Sequence, residues 1–155
     1  MAFLSVDEQP DPTPLPTREE ALAEVADWKR RVDALYRDVA DWLPKDRGYD
    51  ADRSWVVPVH EPMLRALGLP AYEIPILQVQ RDGKRVLLFR PDARWVMSTH
   101  GRVRVGIGDR RWETLLAKEG ASETLEWHYW DADHWRQGGV PWNRERLLAL
   151  LGEDR

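Results

Sequence analysis

Residues 74–118 read IPILQVQRDGKRVLLFRPDARWVMSTHGRVRVGIGDRRWETLLAK. Short apolar runs in this stretch alternate with polar residues, which is the pattern of half-buried strands. Asp82-Gly83 lies between two of these runs, and this dipeptide tolerates the positive φ angles of a tight hairpin turn. From Arg102 to Ile107 the two valines and the isoleucine share one face, and two arginines share the other. The stretch therefore predicts an antiparallel sheet with one apolar side and one charged side.

The same pattern continues on either side of this stretch. Strands are predicted at 74–81, 85–90, 95–99, 102–107, 112–117 and 124–130, with a short edge strand at 55–59. Turns are predicted at Pro91-Asp92, at His100-Gly101 and at Gly108–Arg111, because proline, glycine and aspartate favour turn geometry. Residues 45–53 are polar and contain a glycine, which is typical of a surface loop.

Two helices enclose these strands in the sequence. Thr17-Arg-Glu-Glu20 forms a capping box at the start of the first, which is predicted over 17–43 and ends before Pro44. Asn143 and Gly152 bracket a short closing helix over 144–151. Residues 61–68 add a two-turn helix with proline in its first turn. The predicted fold is α+β: a long N-terminal helix, a small antiparallel β-sheet of about five strands and a short C-terminal helix.

The long helix carries an apolar stripe with alternating spacings of three and four residues. Its members are Ala21, Val25, Trp28, Val32, Leu35, Val39 and Trp42. The stripe is interpreted as packing on the sheet and on the C-terminal helix of the same chain, the usual role of an amphipathic helix. Self-association through helix 17–43 is the alternative, because three heptads are enough for a seam with a second copy.

Composition narrows the classes of protein that this chain can belong to. There is no cysteine among the 155 residues, which excludes disulfides and thiolate-bound metals. Residues 1–16 contain four prolines and are predicted to form a disordered arm, followed by a single domain over 17–152. Neither a signal peptide nor a membrane span is predicted, so a cytoplasmic location is expected. Arginine outnumbers lysine 19 to 4, a composition typical of GC-rich bacterial genomes.

The charge distribution offers the main indication of function. Residues 74–118 have a net charge of +6 within a chain whose net charge is −4. The arginines are interpreted in three ways: as a solvated face, as a nucleic-acid-binding surface, or as a docking surface for an acidic protein. Tryptophan and arginine are the favoured anchors of protein interfaces, and lysine is depleted there. The predicted function is a non-enzymatic module for protein–protein interaction, such as an adaptor, an inhibitor or immunity-type protein, or an assembly subunit, with nucleic-acid binding as the alternative. The candidate surface comprises Arg94, Trp95, Arg102, Arg104, Arg110, Arg111 and Trp112.

A second alternative is a metal-dependent enzyme. Its candidate ligands are His128, Asp131, Asp133 and His134, two imidazoles and two carboxylates within seven residues. Along a single strand the two histidines would stand about 20 Å apart, so a turn must fold them together to form a site. A turn in which an aspartate caps the backbone is the simpler interpretation. No catalytic motif or phosphate-binding glycine loop is present in the sequence, and no cofactor is predicted.

Overall fold

The computed structural model describes residues 15–109, 111–120, 124–134, 136 and 138–153. The predicted arm, 1–16, falls almost wholly outside these ranges. The helices are α1 (Arg18–Trp42), α2 (Pro62–Ala66) and α3 (Arg144–Leu151). The strands are β1 (Tyr49–Asp52), β2 (Val56–Val59), β3 (Tyr72–Pro75), β4 (Leu77–Arg81), β5 (Lys84–Ala93), β6 (Arg102–Ile107), β7 (Arg111–Glu119), β8 (Leu125–Trp130) and β9 (Val140–Pro141).

These strands form two antiparallel sheets, and the α+β class is confirmed. The larger sheet has seven strands in the order β1-β4-β5-β6-β7-β8-β9, and β2 pairs with β3 in a separate sheet. The expected count of about five was too low, partly because 45–53 is not simply a loop. Tyr49 is the first residue of β1 and is buried, and the whole strand pairs with β4, so tertiary packing converts this polar segment into a strand.

Helix α1 covers the apolar side of the larger sheet. Both hydrogen bonds of the capping box are present: the Thr17 hydroxyl accepts from the Glu20 N–H, and the Glu20 carboxylate accepts from the Thr17 N–H. Six of the seven predicted stripe residues are buried in the core, and Trp42 packs against it. The stripe thus packs within the chain's own core, as the first interpretation expected.

The hairpin between β4 and β5 is confirmed. Asp82 and Gly83 have φ angles of 51° and 83°, the paired positive values of the tightest hairpin turns. The turn predicted at Pro91-Asp92 is wrong, because β5 continues to Ala93. A register shift lies between Pro91 and Ala93, so Asp92 is an extra residue in the ladder. The bulge lets the strand pass through a proline without a break.

The strand predicted at 95–99 is also wrong, and the segment is a loop. The carboxylate of Glu61 accepts the backbone N–H groups of Arg94 and Trp95 at 2.9 and 3.0 Å, and the Tyr72 hydroxyl at 2.6 Å. Glu61 is only 4% exposed. In a strand these backbone N–H groups would donate to a neighbouring strand. Here they donate to a side chain more than thirty residues away in the sequence.

Candidate binding face of the sheet

The seven-stranded sheet has two unlike faces. Val103 and Val105 point toward α1 and are fully buried, so Arg102 and Arg104, which alternate with them along β6, point the other way. We call this second side the outer face. Its side chains on the central strands, assigned from the register, are Arg85, Leu88, Arg90, Arg102, Arg104, Trp112, Thr114, Leu116, Lys118, Glu126, His128 and Trp130. The described helices do not cover this face, and the predicted charged side of the sheet is thereby confirmed.

An Arg–Trp pair occupies the middle of the outer face. Trp112 lies directly opposite Gly106, and a β-carbon built at position 106 would be 3.1 Å from the indole. The absence of a side chain at Gly106 therefore gives the ring room to rest on the backbone of β6. The guanidinium carbon of Arg104 lies 5.6 Å from the ring centroid, within the range of a cation–π contact. Trp112 remains 47% exposed.

A second cation–aromatic pair lies toward the β8 edge of the same face. The ammonium of Lys118 is 5.6 Å from the ring centroid of Trp130, and that ring packs against Gly139. Glu126 is directly opposite Lys118 across the ladder and approaches the His128 imidazole at 3.7 Å. This side of the outer face therefore has compensating charge.

At the centre of the outer face, most of the arginines have no compensating charge. Arg102 binds the carboxylate of Asp92, its Nε donating at 2.7 Å. Arg85, Arg90 and Arg104 form no ion pair with a carboxylate in the ranges that the structure describes. Positive charge is thus concentrated on β5 and β6, beside the exposed indole of Trp112.

Only part of the candidate surface predicted from sequence comes together here. Arg102, Arg104 and Trp112 share the outer face. Arg111 begins β7 with the opposite orientation, and its Nε lies 3.5 Å from the carboxylate of Glu113 on the inner side. Burial raises the pKa of that Glu113 carboxyl, and Arg111 partly opposes the rise. Arg110 lies outside the described residues.

Arg94 and Trp95 lie elsewhere. The buried Arg94 donates from Nε to the carboxylate of Glu24 on α1 at 3.0 Å. Together with Trp95 it borders a groove of about 670 Å³ that also includes Met63 and two glutamates of α1. The charge of Arg94 is therefore already neutralised within the chain, and this groove is separate from the outer face.

Sequence reasoning missed three outer-face residues, Arg90, Lys118 and Trp130. Once the strands are aligned by their register, each of these residues faces the same side of the sheet as Arg104. The alternation of β5 and β7 alone indicated two faces, but the register was needed to show which residues share one of them. The row Arg90, Arg104, Thr114 and Trp130, which runs straight across four strands, would have identified two of them, and the Lys118–Glu126 pair would have identified the third.

The candidate metal ligands do not converge. Asp131 accepts the backbone N–H groups of Asp133 and His134, each at 2.9 Å, and lies 2.6 Å from Nδ1 of His134. This is the capped turn. His128 lies back on β8, on the outer face. Burial alone would raise the pKa of Asp131, but the hydrogen bonds from His134 and the turn outweigh it and lower the pKa. Among the described residues, no group of three or more potential ligands is placed to hold a metal ion.

Comparison with known protein families, curated proteins and solved structures finds no match to this chain. Within the described ranges, no helix combines the length and the apolar character needed to cross a membrane.

Proposed function

We propose that this protein is a binding module that docks an acidic segment of a partner protein on the outer face of its sheet. The observation that carries the proposal is the exposed Arg104–Trp112 pair at the centre of an uncovered, positively charged face. Energetic anchors of protein interfaces are enriched in tryptophan and arginine. A half-exposed indole held in place by its own backbone and by a cation loses little conformational freedom when a partner binds.

Charge supports an acidic partner. Three arginines of the outer face have no carboxylate partner among the described residues, although the chain as a whole carries a net charge of −4. The positive charge is therefore local. A local field of this kind accelerates encounter with an oppositely charged surface and disfavours wrong partners.

The aromatic contacts favour protein over single-stranded nucleic acid. A base-binding platform presents ring faces on which successive bases stack. Here Trp112 rests on Gly106 and contacts Arg104, while Trp130 rests against Gly139 and contacts Lys118. Both rings already use much of their faces within the chain, so less ring surface is left for stacking.

The test is affinity capture from native cell extract, followed by reconstitution with the purified partner. Three baits are compared: the wild-type protein, the outer-face variant Arg104→Glu/Trp112→Ala, and Arg144→Glu. The last variant makes the same charge reversal as Arg104→Glu, but at the exposed start of α3. We expect an acidic protein that binds the wild type and Arg144→Glu, that is lost with the outer-face variant, and whose binding weakens as salt is raised.

Two results would contradict the proposal. The first is a partner that the outer-face variant retains as well as the wild type does. The second is a bound species that nuclease removes and whose affinity falls steeply with the logarithm of the salt concentration, because that result assigns the outer face to nucleic acid instead.

A further inference from the structure

Arg90 and Arg104 are direct cross-strand partners on the outer face. Residues opposite each other in an antiparallel pair have Cα atoms about 4.5 to 5.5 Å apart, and like charges in such positions repel. A carboxylate opposite a guanidinium would instead attract it. Arg102, two residues along β6, has a carboxylate partner within the chain, because it binds Asp92, the extra residue of the bulge in β5.

The chain does not supply such a carboxylate to the Arg90–Arg104 pair. Both side chains are exposed, and neither forms an ion pair within the described part of the chain. Arg104 is instead held against the indole of Trp112. Two cross-strand arginines without a counter-charge in the described residues thus lie next to the half-exposed ring of Trp112.

We propose that Arg90 and Arg104 form a clamp for a single carboxylate of the acidic partner segment. The inference rests on the proposed function and names the chemical group that the centre of the outer face recognises. Each guanidinium presents several N–H donors in a planar fork, the geometry that matches the two oxygens of a carboxylate.

Repulsion in the free protein makes this site more selective than a lone arginine. A bound carboxylate removes the unfavourable interaction between the two cations and adds attraction to both of them. Trp112 acts as a positioning residue, because its contact directs the Arg104 guanidinium and its ring offers apolar surface to the methylene groups of a glutamate side chain.

The experiment is calorimetric titration with a hexaglutamate peptide, with hexaglutamine as the uncharged reference. The variants are Arg90→Gln, Arg104→Gln and their combination. Arg85→Gln makes the same charge change on the same face but outside the clamp, and Arg144→Gln makes it far from the face. All four positions are exposed, so the variants are expected to fold.

Hexaglutamate is expected to bind the wild type, and each clamp substitution is expected to weaken that binding about threefold or more, the size of one well-placed ion pair. Because one carboxylate bridges both groups, the double variant should lose less than the product of the single losses. Arg85→Gln should lose less than either single clamp variant, and Arg144→Gln should bind as the wild type does.

The outcomes separate the clamp from the proposed function. If Arg85→Gln weakens binding as much as Arg90→Gln and Arg104→Gln do, the face binds by its overall charge, and the clamp is overturned while the function stands. If the wild type binds hexaglutamate no better than hexaglutamine, the acidic-partner proposal fails together with the clamp. If oligothymidylate binds in place of hexaglutamate, the occupant is nucleic acid and both are overturned.

Discussion

The indole of Trp28 lies directly against Gly101: a β-carbon built at position 101 would be 2.2 Å from Cζ3 of the ring. Gly101 precedes β6, Trp28 is the largest fully buried side chain of α1, and neither can shift easily. This contact sets how closely the helix approaches the strand that carries Arg102 and Arg104.

Gly101→Ala should therefore destabilise the fold. The added methyl group meets a fully buried ring, and the φ of 134° at this position already excludes most side chains. We expect a loss of about 3 kcal/mol or more in the free energy of unfolding, measured by urea denaturation. Gly108→Ala is the matched control, because Gly108 also has a positive φ but open space around it. It should lose about 1 kcal/mol, and equal losses for the two variants would argue against the clash.

Glu61→Ala should release the loop after β5. The substitution leaves two backbone N–H groups and the hydroxyl of Tyr72 without their acceptor in a buried site. Buried donors left unpaired cost about 1 to 3 kcal/mol each, so a total loss of about 3 kcal/mol or more is expected. Hydrogen exchange should accelerate at Arg94 and Trp95. Glu73→Ala, at an exposed position of β3, is the control, and slow exchange at Arg94 in Glu61→Ala would contradict the role of the carboxylate.

Asp131→Asn should alter how stability depends on pH. The folded-state pKa of Asp131 is lowered, so its contribution to stability is present above the unfolded pKa of about 3.9 and is lost as pH falls through the folded value. The wild type should lose stability from about pH 5 downward, and the variant should lose less over that range. Thermal unfolding at a series of pH values measures both, with Asp133→Asn as the exposed control. Parallel curves for wild type and Asp131→Asn would refute the assignment.

Pro58→Val should promote self-association through β2. The N–H of Ile76 donates to the carbonyl of Trp55, and hydrogen-bonded pairs alternate along the ladder, so position 58 directs its backbone nitrogen away from β3. No described strand pairs with that edge. Pro58 has no N–H to offer a further strand at this edge, which disfavours edge-to-edge pairing. The neighbouring Trp55 and Val56 are 46% and 48% exposed.

Valine would restore the missing donor at this edge. Sedimentation velocity should show a larger concentration-dependent increase in mass for Pro58→Val than for the wild type. Pro70→Val, at an exposed position outside any strand, is the control. If the two variants behave alike, the proline does not guard the edge.

Features governed by neighbouring residues were predictable from the sequence. The Asp82-Gly83 turn, the capping box at Thr17 and the alternation of 102–107 each depend on residues a few positions apart, and all three are confirmed. The loop at 94–101 was not predictable, because it depends on a carboxylate contributed by Glu61.

The candidate site likewise has one part that was predictable from the sequence and one part that was not. Arginines were expected on a charged side of the sheet, and Arg104 is there. Which arginines are neutralised depends on tertiary contacts: Glu24 reaches Arg94 across seventy residues. Arg90 came to light only through the register of β5 and β6, because no local pattern distinguishes it from any other charged strand residue.

The strand order also bears on how the chain folds. Strands β4 to β8 pair strictly in the order in which they are synthesised. Each new strand closes only a short loop onto its predecessor, which keeps the entropic barrier to each step low. Strand β1 is different, since it must wait for β4 while β2, α2 and β3 intervene. The ladder that bears Arg90 and Arg104 is therefore assembled by successive zipping, and the edge formed by β1 is the part of the sheet that must be completed from a distance.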